Sequence, residues 1–173
     1  MAPGDHVLDI GTGPGYLAFA AAKMVGPGGR AVGIDASPEM IERALARAEH
    51  HGSRAEYAVA SAEALPFDDA SFGVVVSRLV FHHLPGELKS QALAEIARVL
   101  KPGGRVVIVD LAPGAAKGGH RLIAHVMGNR PDADFDLEAL VLGAGFTQLT
   151  GGGLMHGMLT GVAAWNPERS AAE

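Results

Sequence analysis

The segment Val7-Leu8-Asp9-Ile10-Gly11-Thr12-Gly13-Pro14-Gly15 carries the residue types best suited to chemistry, an acid followed by three glycines at alternating positions. Glycine lets a chain turn sharply and lets a ligand approach the backbone amides closely. Asp35 stands twenty residues beyond Gly15. A carboxylate at the end of a second strand can accept hydrogen bonds from both hydroxyls of a ribose. Together the loop and the acid read as a site for an adenosine-containing ligand at the carboxyl edge of a sheet. A tight turn without a ligand would account for the glycines but leaves the placed acid unexplained.

The spacing also bears on which nucleoside would sit there. Dinucleotide loops follow G-x-G-x-x-G, with the third glycine opening the helix. Here the order is G-x-G-x-G, and Tyr16 takes the sixth place. A diphosphate needs the helix N-terminus clear for its charge, and Asp9 would repel it. An acid at that place suits a positively charged ligand end. This favours S-adenosylmethionine, with its ammonium and sulfonium groups, over NAD.

A second set of reactive residues follows the fourth expected strand, in Ser77-Arg78-Leu79-Val80-Phe81-His82-His83-Leu84. Histidine titrates near neutrality, so His83 is the leading candidate for a general base and His82 the runner-up. The competing reading is that one ring packs and the other caps a turn. Asp110, ending the fifth strand at the same edge, could hold a polar group of a substrate. His120, His125 and Arg130 are weaker candidates, in a Gly- and Pro-rich stretch from Ala112 to Asp134 that could serve as a lid or substrate loop. No His/Asp/Glu set has ligand spacing such as H-E-x-x-H, so no metal is expected.

The elements that must position these residues alternate between strand and helix, the pattern of an α/β domain with a mainly parallel sheet. Strands are expected at Val7–Ile10, Ala31–Ile34, Glu56–Ala60, Gly73–Ser77 and Arg105–Asp110. Helices are expected at Tyr16–Val25, after a Ser37 cap with Pro38 in first position, and at Glu87–Leu100. Apolar residues at helical spacing, Ile41, Ala44, Leu45 and Ala48 in one and Leu93, Ile96, Ala97 and Leu100 in the other, mark their buried faces. Leu137–Leu142 reads as a short helix. Phe146–Thr150 and Met155–Trp165 read as two strands joined through Gly151-Gly152-Gly153, an antiparallel hairpin at the sheet edge. Residues 1–165 read as one domain and residues 166–173 as a loose tail.

Composition narrows the classes. The 173 residues carry a net charge of −5, with 48% hydrophobic and 19% charged residues, which fits one globular domain at about 150 residues each. The absence of cysteine excludes a disulfide scaffold, a thiolate zinc site and a cysteine nucleophile. An acidic balance argues against nucleic-acid binding, which rests on neutralising phosphates. No run of about 18 apolar residues occurs, so no membrane span is expected. The start shows no basic-then-apolar pattern of a signal peptide, so a cytoplasmic location is expected.

With these motifs in order, the chain resembles the class I S-adenosylmethionine-dependent methyltransferases, in the group of small-molecule and ubiquinone/menaquinone C-methyltransferases. The likeness runs from Val7 to Asp110 and more weakly to Trp165. It implies a Rossmann-like, doubly wound, mostly parallel sheet of seven strands with an antiparallel C-terminal edge hairpin. It also implies cofactor contacts from Asp9, Gly11, Thr12, Gly13 and Gly15 in the first motif. Asp35 would hold the ribose, with Ala36 and Met40 beside it. The adenine segment matches Ala60-Ser61-Ala62-Glu63-Ala64-Leu65-Pro66-Phe67, from which Ser61, Ala62 and Glu63 would face the base, and Arg78 joins the set after the fourth strand. Further landmarks are Arg98-Val99-Leu100-Lys101-Pro102-Gly103-Gly104 and Gly143-Ala144-Gly145-Phe146.

The implied activity is methyl transfer to a small or lipophilic acceptor molecule at O, N or C by in-line displacement, leaving S-adenosylhomocysteine. No Asn-Pro-Pro-Tyr type sequence follows the fourth strand, against a DNA amino-methyltransferase, and no cysteine is present for cytosine-C5 chemistry. The catechol-type magnesium site lacks its acidic residue. Two departures stand out. The family commonly has Asp where this chain has Ser61, so the adenine contact lacks charge assistance and is worth about 0.5–1.5 kcal/mol. The first strand also begins at Val7, without the helical segment that relatives place over the cofactor. A shortened chain, an open site, or a pocket completed by a second subunit of a homodimer would each account for that. An S-adenosylmethionine-binding regulatory subunit and, less well, an NAD-dependent oxidoreductase are the alternatives.

Overall fold

The computed structural model describes residues 1–112 and 135–168. The expected lid or substrate loop, with His120, His125 and Arg130, lies outside the described residues apart from Ala112. Seven strands form one sheet in the order β3-β2-β1-β4-β5-β7-β6. They are β1 (His6–Ile10), β2 (Arg30–Asp35), β3 (Glu56–Val59), β4 (Phe72–Arg78), β5 (Leu100–Leu111), β6 (Thr147–Leu154) and β7 (Leu159–Trp165). The first five pair in parallel, whereas β7 lies antiparallel between β5 and β6. This is the Rossmann-like α/β architecture expected, including its antiparallel C-terminal strands. Chain order reverses between β1 and β4, and the carboxyl ends of those strands open a crevice where ligands of such sheets bind.

Burial explains why the central strands read as unbroken apolar runs. On one face Leu8, Ile10, Val75 and Ile108 pack with Leu93 and Ile96 of α3 (Gly86–Val99) and Val141 of α4 (Leu137–Gly143). On the other, Val7, Val74 and Val76 meet Ala21 and Val25 of α1 (Tyr16–Val25). The second helix, α2 (Pro38–His50), starts where expected, with the Ser37 hydroxyl accepting from Met40 N. Its buried stripe of Ile41, Ala44 and Ala48 is narrower than expected, because Leu45 sits at the edge and is 49% exposed. No helix among the described residues is long and apolar enough to cross a membrane.

Three boundaries differ from expectation. Gly151-Gly152-Gly153 is not the hairpin loop but part of β6. A side chain at Gly151 would come within 2.6 Å of the Glu138 carboxylate on α4, so glycine there serves close packing rather than turning. The turn instead falls at residues 155–158, where Met155, His156 and Gly157 take left-handed backbone angles. Strand β5 also begins early, at Leu100, and takes Lys101-Pro102-Gly103-Gly104 into a bulge against β4. Finally, Asn166 is anchored, its side-chain amide donating to the carbonyls of Ala97, Leu100 and Lys101.

Candidate functional site

Helix α1 begins without a side-chain cap, because the residue at its N-cap is Gly15, in a left-handed conformation. The loop before it turns on Gly11, Gly13 and Gly15, with φ of +67°, +53° and +83°. Such angles are costly for any residue with a Cβ. At Gly11 a methyl group would also lie 2.1 Å from the Val80 side chain, so the loop packs directly on the turn that follows β4. At Gly13 the same methyl would meet nothing within 4 Å, which leaves that backbone open to the crevice.

Asp35 ends β2 facing this loop. One carboxylate oxygen accepts from Gly13 N and the other from Ser37 N, both at 2.9 Å. The carboxylate is thereby fixed in orientation, and each oxygen keeps a further lone pair for a hydroxyl donor. Asp9 is different. It is 1% exposed, and its Oδ2 takes the Thr12 hydroxyl at 2.6 Å and Ala18 N at 3.1 Å. Its Oδ1 is buried with no hydrogen-bond partner among the described residues. Burial raises its pKa from 3.8 to about 6, opposed by the bonds from Thr12 and Ala18 and by the charge of Arg78, and aided by Asp35.

On the β4 side, Leu79 holds a left-handed φ of +60°, an arrangement uncommon outside glycine and typical of constrained sites. The 3-10 turn Phe81–His83 follows. Its shape is set by Asp110, which is fully buried. One Asp110 oxygen accepts from Val80 N and Phe81 N, while the other takes Leu111 N and contacts His82 Nδ1 at 2.7 Å. Asp110 is therefore committed to the turn and offers nothing to an incoming group. His82 is buried with it. His83 stands outside, its ring centroid 3.9 Å from that of His82. Burial, then the neighbouring His82, pushes the His83 pKa below 6.5, against a weaker pull from Asp110.

These elements enclose a cleft of about 510 Å³. Of the residues singled out in the sequence, Gly11, Gly13, Asp35, Ala36, Met40, Ser61, Ala62, Glu63 and His83 line it. Asp9, Thr12 and Gly15 lie buried behind the loop, His82 lies behind His83, and Arg78 is exposed outside the lining. Ile10, Leu79, Val80 and Leu84 also line the cleft; they lie within the two segments quoted from the sequence but were not singled out there. Their place at the ends of β1 and β4, flanking the reversal of strand order, was the available signal. The described lining holds two carboxylates, Asp35 and Glu63, and no Lys or Arg.

Fold and cleft together define a Rossmann-like α/β domain whose described cleft lining is acidic rather than basic. The sequence profile of the methyltransferase domain family matches residues 7–104, and the chain belongs to that family. An arsenite methyltransferase of Halobacterium salinarum is 41% identical over 112 residues, covering 64% of this chain and 28% of the relative. A demethylmenaquinone methyltransferase of Thermus thermophilus is 38% identical over 121 residues, or 70% of this chain and 53% of the relative. The chain thus spans 28% and 53% of the length of these two curated relatives. A crystal structure of an S-adenosylmethionine-dependent methyltransferase from Aquifex aeolicus shares the fold, with a TM-score of 0.75, 24% identity, and coverage of 95% of this chain and 83% of that one.

Proposed function

We propose that this domain transfers a methyl group from S-adenosylmethionine to a small or lipophilic acceptor at O, N or C. The observation that carries the reading is Asp35, clamped between Gly13 N and Ser37 N at the edge of a cleft lined, among the described residues, by carboxylates and no cation. That environment suits a ribose attached to a cationic group and opposes the diphosphate of NAD. The residues present fit the cofactor: Asp9 has one buried oxygen unpartnered among the described residues, and the open face at Gly13 gives a ligand access to backbone.

When bound, the cofactor supplies an electrophilic methyl group on its sulfonium. Asp35 would accept hydrogen bonds from the ribose hydroxyls, with Ala36 and Met40 alongside, and Ser61, Ala62 and Glu63 would meet the adenine. Gly11, Gly13 and Gly15 give the loop its shape, while Asp9, held by Thr12 and modulated by Arg78, balances the positive end. The acceptor approaches along Leu79, Val80 and Leu84, whose apolar side chains exclude water and strengthen alignment in the displacement. His83 is the base for an acceptor that must lose a proton, since its lowered pKa keeps the ring neutral at pH 7. His82, held by Asp110, positions that ring.

Phenols, quinols and amines are the acceptor classes to try first. The test is methyl transfer from labelled S-adenosylmethionine to a panel of these acceptors. Labelled product with stoichiometric S-adenosylhomocysteine supports the reading. Cofactor binding with no turnover across the panel makes the domain a non-catalytic S-adenosylmethionine-binding subunit.

A further inference from the structure

We infer that Arg47 and Tyr57, neither of which lines the cleft, are positioning residues that set cofactor affinity by clamping the glycine loop from behind. The inference rests on the cofactor reading above. Three left-handed glycines in five residues make a backbone with many alternative conformations, and α1 brings no side-chain cap to restrain it. Asp9 and Asp35 hold its inner side, and restraint on the outer side comes from two other elements. From α2, Arg47 Nε donates to the Pro14 carbonyl at 3.0 Å, and its guanidinium lies 3.8 Å above the Tyr16 ring. From β3, the Tyr57 hydroxyl donates to the Gly15 carbonyl at 3.0 Å.

The same two elements close the space around Gly15. A methyl group there would come within 2.7 Å of the Tyr57 oxygen and 2.9 Å of the Ala44 methyl. The loop therefore sits in a socket shaped by α2 and β3, with its outward carbonyls engaged. What the socket fixes is the direction of Gly13 N, which donates to Asp35. Burial pushes the Tyr57 phenol up to about 12, so its proton remains available for donation throughout the working range. Loss of a clamp leaves the binding-competent loop only partly populated, and apparent affinity falls by that fraction.

Calorimetric titration with S-adenosylhomocysteine tests this. Tyr57→Phe, which removes one oxygen, raises Kd about three- to tenfold, and Arg47→Ala raises it about tenfold. Arg47→Lys keeps a donor but loses the planar stack, and recovers about half of the loss on a logarithmic scale. Arg43→Ala, which breaks an exposed ion pair with Glu39 on the same helix, stays within twofold. With saturating cofactor, kcat and acceptor KM are unchanged in Tyr57→Phe, a split that general destabilisation would not produce. A Kd within twofold of wild type in Tyr57→Phe overturns the inference, whether or not Arg47→Ala folds. Wild-type protein that binds no S-adenosylhomocysteine overturns the cofactor reading and this inference with it.

Discussion

Replacing Asp9 by Asn separates the needs of the fold from those of the ligand. In the folded chain this carboxylate is 1% exposed, with one oxygen unpartnered among the described residues, and burial lifts its pKa from 3.8 to about 6. At about 1.4 kcal/mol per tenfold change in proton affinity, the shift corresponds to about 3 kcal/mol of destabilisation once the group is charged. Because the folded value is raised, the favourable contribution is complete below pH 3.8 and is lost as pH rises through about 6. Asn keeps an oxygen for Thr12 and Ala18 and carries no charge, and its buried amide nitrogen, with no acceptor among the described residues, offsets part of the gain. The ligand-free Asp9→Asn protein is therefore more stable than wild type at pH 7.5, by about 1–3 kcal/mol. At about 2–4 °C per kcal/mol for a chain of this size, thermal unfolding rises by several degrees. The advantage shrinks towards zero near pH 4. The same substitution weakens S-adenosylmethionine binding, because the positive end of the ligand loses its buried counter-charge. Unfolding of both proteins at pH 4 and 7.5, with and without ligand, reads out all four quantities. An Asp9→Asn protein less stable than wild type at pH 7.5 without ligand, or with undiminished cofactor affinity, refutes the reasoning.

Asp35→Ala weakens S-adenosylhomocysteine binding by about 1.5–3 kcal/mol in calorimetry, as expected for hydrogen bonds to a charged group. His83→Gln lowers kcat while leaving S-adenosylhomocysteine affinity within twofold. The wild-type rate profile keeps its acid limb below pH 6.5, following the lowered pKa of that ring, and a limb above that value excludes His83 as the base. Gly11→Ala places a methyl group 2.1 Å from Val80 and destabilises by about 1–3 kcal/mol in denaturant unfolding. Val80→Ala in the same chain restores part of that loss, and strict additivity of the two changes would show that the contact is absent.

The strand and helix pattern was legible because the buried runs are periodic or unbroken and bounded by strong stops. Ser37-Pro38 marks the start of α2 to the residue, and Gly26 marks the end of α1. The glycine loop and Asp35 were legible for a related reason, since both answer to local backbone demands. What escaped depends on contacts distant in sequence. Gly151 looks like a turn residue until Glu138 is seen against it. Leu79 and Val80 show nothing in sequence of the strained backbone and the packing on Gly11 that bring them into the cleft. Asp110 reads as a free acid at a strand end, yet it is consumed by four contacts to its own fold. Arg47 and Tyr57 carry no motif, and their hydrogen bonds to the loop span 33 and 42 residues.

Parallel calorimetric titrations of the wild-type protein with S-adenosylhomocysteine and with NAD test the central claim most directly. Saturable one-to-one binding of S-adenosylhomocysteine, lost in Asp35→Ala, with no heat from NAD, is the predicted result. Saturable binding of NAD with no response to S-adenosylhomocysteine would contradict the account.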